Sequence, residues 1–172
     1  MTPLTFEAFT KKIYIKAPVK TLYWYWATEE GITSWFLREA HYVSVEGTNR
    51  NATDPIQNGD RYTWKWHNWN GQESGSILQT NGKDFLEFSF ANDVCTCSVT
   101  LEEVENTTLV TLRQYGMPTD EKTKMELYNG CSCGWTFWLA NLKAYLEHGI
   151  LLNEKDVDLT EIPQAGHIFV NM

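Results

Sequence analysis

The segment from Gly134 to Gly149 constrains the fold of this chain more than any other. At about 100° per residue, Trp135, Trp138, Leu139, Leu142 and Leu146 share an arc roughly 100° wide. Lys143 and Glu147, four apart, lie off that stripe and can pair in water. Gly149 is placed to stop the helix, because glycine readily takes the left-handed conformation of a C-terminal cap. Burying one tryptophan removes roughly 150–250 Å² from water. At about 25 cal/mol per Å² the upper limit of that gain is about 4–6 kcal/mol. A stripe that apolar requires a concave partner.

The preceding residues supply one. Residues 6–15 read as a first strand with Phe9, Lys11, Ile13 and Ile15 on one side. Ala17-Pro18 breaks it, and proline suits the opening turn of a helix. Residues 19–27 form a short helix with Leu22, Tyr23 and Trp26 sharing a side. Residues 29–36 form a second, with Thr28 as its cap and Glu29 and Glu30 at its positive end. Strand signals then dominate. Residues 40–46 are followed by a polar loop that ends in a turn at Asn58-Gly59-Asp60. Residues 61–67 alternate, with Tyr62, Trp64 and Trp66 on one face. Asn70-Gly71 signals a hairpin to a strand at 72–79, and Asn81-Gly82 leads into 84–91, where Leu86, Phe88 and Phe90 share a face. Residues 95–104 and 107–115 pair around Glu105-Asn106. After Pro118, Thr119 or Asp120 can cap a long helix that runs to Gly149. The reading is α+β: an antiparallel meander of six or seven strands, two short helices after the first strand, and one long C-terminal helix. Residues 1–149 make a single domain, and 150–172 a tail that packs on it or extends it.

The 172 residues suffice for a sizeable core without staples. A net charge of −8, with no basic run, disfavours nucleic acid and anionic membranes as partners. Apolar runs fall short of the ~20 residues a membrane span needs. The first residues lack the pattern of a secretory signal, so a cytoplasmic location is expected and Asn51 and Asn106 are read as chance glycosylation matches.

Several pieces in order carry a resemblance. They are Ile15-Lys16-Ala17-Pro18-Val19, Thr28-Glu29-Glu30-Gly31-Ile32 with Trp35-Phe36, Gly59-Asp60-Arg61-Tyr62, Gly75-Ser76-Ile77-Leu78, and Gly134-Trp135 with Leu139, Leu142 and Tyr145-Leu146-Glu147. Together they resemble the START-like, helix-grip superfamily, and within it the branch homologous to the C-terminal domain of the activator of the heat-shock-protein-90 ATPase. The resemblance covers about residues 6–149. It implies a curved sheet gripping the C-terminal helix, with a cavity between them. Superfamily members bind lipids, sterols, plant hormones or polyketides there, and a minority are cyclases or hydrolases.

The candidate ligand-binding residues are Trp35, Tyr62, Trp64, Trp66, Phe88, Phe90, Trp135, Trp138 and Leu142, with Gln114 as the inward polar group beside Val110 and Leu112. The same side chains can instead simply fill the core, and Gln114 can be an ordinary strand residue. Cys95/Cys97 and Cys131/Cys133 have the look of a zinc set. However, two helical cysteines two apart point about 200° from each other, so buried free thiols beside Val99 and Leu101 fit better. The four histidines are scattered, Glu87 and Arg113 read as a surface pair, and no nucleophile motif or phosphate loop is present. No catalytic residue, metal or cofactor is therefore expected. Three functions remain open: a binder of a small apolar or aromatic ligand, a chaperone-partnered interaction module, and a cyclase or hydrolase. The tail can cover the cavity mouth, add an edge strand, or mediate a homodimer.

Overall fold

The computed structural model describes residues 4–172. Strand β1 (Ala8–Ile15) is followed by helices α1 (Val19–Ala27) and α2 (Glu29–Thr33). Six strands come next: β2 (Glu39–Val43), β3 (Arg61–Lys65), β4 (Glu73–Thr80), β5 (Phe85–Phe90), β6 (Cys95–Val104) and β7 (Thr107–Tyr115). They form one antiparallel sheet in the order β1-β7-β6-β5-β4-β3-β2, so only β1 pairs out of sequence, against β7. A register shift between Ile77 and Gln79 bends β4 against β5, as an extra residue on one strand does. The sheet curves around the C-terminal helix in the expected α+β, helix-grip arrangement.

That helix comes in three parts. α3 (Glu121–Thr123) is capped by Asp120, whose carboxylate accepts the Thr123 amide at 3.1 Å. A π-helical stretch, Lys124–Asn129, follows, and α4 (Gly130–His148) completes it. The sequence pattern had implied one uniform helix. Trp135, Trp138, Leu139 and Leu142 are buried on α4, and Gly149 at φ 68° ends it by donating to the Ala144 and Tyr145 carbonyls. Leu146 is only partly buried. Asn141, in contrast, is fully buried on the packed face although it lies outside the apolar stripe. The Lys143–Glu147 pair forms, but not as a free-standing surface pair. Glu147 also accepts the Lys16 amide at 2.8 Å, and Lys143 donates to the Tyr14 carbonyl at 2.7 Å, so the pair ties α4 to the end of β1.

Three local expectations are corrected. α2 ends at Thr33 instead of Phe36, with Thr28 capping it through the Gly31 amide at 2.9 Å. β3 ends at Lys65, which leaves Trp66 and His67 beyond the ladder. Asn70-Gly71 does not close a tight hairpin, because the left-handed residue in the connection is Asn68, at φ 58°. Asn68 instead donates to the Glu154 carbonyl at 3.0 Å and accepts the Leu159 amide at 2.9 Å, so tertiary contacts with the tail set this loop. Gly71 lies under the Trp69 ring, where a Cβ would come within 2.2 Å of it.

The tail carries one short helix, α5 (Ala165–Ile168), and joins no sheet edge. Asn141 ties it down at its start: Nδ2 donates to the Trp35 carbonyl at 2.7 Å, and Oδ1 accepts the Leu152 amide at 2.6 Å. No helix among the described residues is long and apolar enough to cross a membrane.

Candidate functional site

Aromatic rings fill the space between sheet and helix. Phe36, which the sequence reading passed over, lies at their centre. Its ring centroid is 5.1 Å from Trp35, 5.9 Å from Trp64, 5.3 Å from Trp66, 5.2 Å from Trp135 and 5.1 Å from Trp138. Tyr62 stacks on Trp64 at 4.1 Å, and Trp64 meets Phe88 at 5.2 Å. The polar atoms of this cluster are mostly paired within the protein, as burial demands. Trp35 Nε1 donates to the Tyr25 carbonyl at 3.1 Å, Trp64 Nε1 to the Tyr42 hydroxyl at 3.2 Å, and Trp135 Nε1 to Gln114 Oε1 at 3.0 Å. Gln114 Nε2 is turned toward Cys95 Sγ at 3.3 Å and Met117 Sδ at 3.4 Å.

A cleft of about 860 Å³ opens beside this cluster. Trp66, Trp69, Glu73 and Phe90 form its sheet side, Cys131, Gly134, Phe137 and Trp138 its helix side, and residues 166–170 with Met172 its tail side. The π-helical stretch contributes Leu127 and Asn129. The helix wall is low at Gly130 and Gly134, where an added Cβ would meet nothing within 4 Å. The tail thus forms one wall of the cleft.

Of the sequence-derived ligand-binding residues, Trp66, Phe90 and Trp138 line this cleft. Trp35, Tyr62, Trp64, Phe88, Gln114, Trp135 and Leu142 do not, being buried behind it in the core. The cleft residues absent from the sequence-derived candidates include Trp69, Phe137 and, above all, Glu73. Glu73 opens β4 and shares its inward face with Gly75 and Ile77. Period-two alternation back from Ile77 was the signal that could have found it. Gly75 makes room there, since a Cβ would come within 2.7 Å of the Tyr62 ring.

Glu73 is 6 % exposed. Its Oε1 accepts the Asn92 amide at 2.9 Å and lies 3.3 Å from the Tyr62 hydroxyl. That hydroxyl has one proton, which the Ser89 carbonyl, 2.6 Å away, also accepts. Burial pushes the Glu73 carboxyl up from its usual range, against the hydrogen bonds from the Asn92 backbone, the Tyr62 hydroxyl and the Ala91 backbone, and the Asp93 carboxylate adds to the rise. The thiols nearby behave alike. Burial raises Cys95 to about 12 and Cys131 to about 11, and Cys97 well above the ordinary thiol range. Cys95 and Cys97 face the core with Val99 and Leu101, whereas Cys131 is half-buried and Cys133 exposed. No group of three metal-ligating side chains forms among the described residues.

His67 and His167, far apart in sequence, both reach the cleft. Burial lowers the His67 pKa, helped by the Lys155 and Arg38 cations. The Glu87–Arg113 pair does not form: Glu87 accepts the Tyr115 hydroxyl at 2.5 Å, and Arg113 stacks over the Tyr115 ring at 4.5 Å.

A curved antiparallel sheet around a C-terminal helix, with a cleft at their junction, defines a START-like helix-grip protein. A family model described as activator of Hsp90 ATPase homolog 1-like protein matches residues 16–147, and the chain belongs to that family. Among solved structures it is similar to SSP2350 from Staphylococcus saprophyticus, at 19 % identity and TM-score 0.66 over 84 % of this chain and 94 % of that one. The Aha1 dimer from Colwellia psychrerythraea is similar at 19 % identity and TM-score 0.64, over 83 % and 97 %. DynU16, of the dynemicin biosynthetic locus, is similar at 17 % identity and TM-score 0.62, over 83 % and 48 %. No curated protein matches the sequence.

Proposed function

We propose that this protein is a non-enzymatic binder of a small apolar or aromatic ligand, held in the cleft between sheet, C-terminal helix and tail. The observation that supports this most is the cleft itself. Its volume of about 860 Å³ is that of a small-molecule site, and its walls are mostly apolar, with Trp66, Trp69, Phe90, Phe137, Trp138 and Phe169 among them. The protein purified from its own host should carry a small molecule in native mass spectrometry. Apolar ligands should shift its tryptophan emission, and Trp138→Ala should weaken that response at least 10-fold. A protein that carries nothing and whose emission ignores apolar compounds would overturn the reading.

The family description and the Aha1 likeness support a second reading, an interaction module for a chaperone ATPase. Such a module would co-purify with a chaperone, respond to surface charge reversal and be indifferent to cleft variants. The dimer named for the Colwellia protein extends the homodimer option to this chain, and sedimentation at increasing concentration tests it.

A further inference from the structure

Among the described residues, two side-chain carboxylates belong to buried residues, Asp60 and Glu73. Asp60 is matched: the Arg50 guanidinium grips both its oxygens at 2.8 Å, and the Gln57 amide donates at 2.9 Å. Glu147, whose side chain is also largely covered, has Lys143. Glu73 has no Lys, Arg or His within ion-pair distance among the described residues. Removing a carboxylate from water costs several kcal/mol in a real protein, on the order of the whole stability of a domain, so buried carboxylates are paired or hydrogen-bonded. Glu73 accepts the Asn92 amide and lies 3.3 Å from the Tyr62 hydroxyl, both through Oε1, and the Ala91 backbone adds a further hydrogen bond. Oε2 is left with capacity to accept more.

Its surroundings are equally specific. Glu73 stands in a cleft walled by Trp66, Trp69, Phe90, Phe137 and Trp138. Aromatic faces attract organic cations through the ring quadrupole, tryptophan most strongly. Lys11 also reaches the cleft, but its ammonium lies over the Phe9 ring, 5.8 Å from the centroid. The thiols of Cys95, Cys97 and Cys131 stay protonated and so add no competing charge. The net charge of −8 raises the local concentration of cations around the whole molecule.

We infer that the ligand of the cleft is an organic cation, an ammonium head on an apolar body, with Glu73 as its counter-ion and the cleft tryptophans as its cage. This rests on the cleft reading above and adds the ligand's charge to it. The head takes the position of the missing cation beside Oε2, and the apolar body lies along the low helix wall at Gly134.

Three probes of one chain length, decylammonium, 1-decanol and decanoate, separate this from the cleft reading when titrated against the full chain by tryptophan fluorescence and calorimetry. Decylammonium should bind at least 10-fold tighter than decanol, and decanoate weakest. Glu73→Gln, which keeps the Asn92 hydrogen bond, should erase the preference for decylammonium and leave decanol unchanged. Trp69→Leu alters an exposed ring, so it folds whatever Glu73→Gln does. It should weaken decylammonium several-fold more than decanol. Decanol binding as tightly as decylammonium, or a preference that survives Glu73→Gln or Trp69→Leu, overturns the inference while the apolar cleft stands. If none of the three binds, both readings fall.

Discussion

Trp64 and Trp66 are two residues apart, and Trp135 and Trp138 are three apart, yet the first of each pair belongs to a sealed core and the second to the cleft wall. The difference lies in what their neighbours do with polar atoms. In the core each ring nitrogen has a partner supplied by the fold: Tyr42 for Trp64, Gln114 for Trp135, Tyr25 for Trp35. Trp26 is the exception. Its Nε1 is buried without an acceptor, and nothing in its surroundings explains why. In the cleft aromatic rings recur, but a buried carboxylate stands among them with no Lys, Arg or His within ion-pair distance among the described residues. Packing alone makes the first region stable. The second carries an unpaired charge that packing does not need, and this is how a binding site differs from a core built of the same residues.

The largest effect should come from breaking the core side. Trp135→Ala removes a fully packed ring and leaves the Gln114 carbonyl oxygen unpaired, so urea unfolding should show a loss of about 4 kcal/mol. If the loss is under about 1 kcal/mol, the core and the cleft are not the distinct regions described.

Asn141→Ala should cost about 2 kcal/mol, because it strands the Trp35 carbonyl and the Leu152 amide. Hydrogen exchange should accelerate in residues 150–172 before it does in the sheet, since Asn141 holds the start of the tail.

On the cleft side, Gly134→Leu should stabilise the protein by about 1 kcal/mol, as replacing a mid-helix glycine does. The new side chain grows into the cleft, so apolar ligand binding should fall at least 10-fold while the melting temperature rises. A core position would show the two changes in the same direction.

The smallest effect sharpens the comparison most. Glu73 has its pKa raised in the folded state, so its contribution to stability is fully present below the ordinary carboxylate range, near pH 4, and is lost as pH rises through the folded value. Thermal melts should therefore find Glu73→Gln more stable than the parent at pH 7.5, with the gap narrowing as pH falls toward about 4. A gap that widens on acidification would mean that Glu73 is well served as an anion.

Much of this molecule was legible in order and period. The apolar stripe of α4, the Gly149 stop, the Thr28 cap, the β6–β7 hairpin and the inward thiols of Cys95 and Cys97 all follow from local rules that act within a few residues. The cleft was legible only in part. Trp66, Phe90 and Trp138 were among the candidates, but the pattern that selected them selected seven core residues equally, because alternation says which face a side chain takes and not what covers it. The Asn70-Gly71 turn misled for a related reason: a turn signal reads only its own residues, whereas Asn68 takes the left-handed conformation here and bonds to the tail.

The sequence by itself determined the elements, their faces and the need for a sheet to hold the C-terminal helix, since propensity and hydrophobic period are properties of neighbouring residues. Tertiary structure alone decided that β3 stops before Trp66, that residues 166–170 line the cleft, and that Glu73 is buried with no cation within ion-pair distance among the described residues. Burial and charge pairing depend on groups brought together from β4, α4 and the tail, and no local pattern records which of them meet.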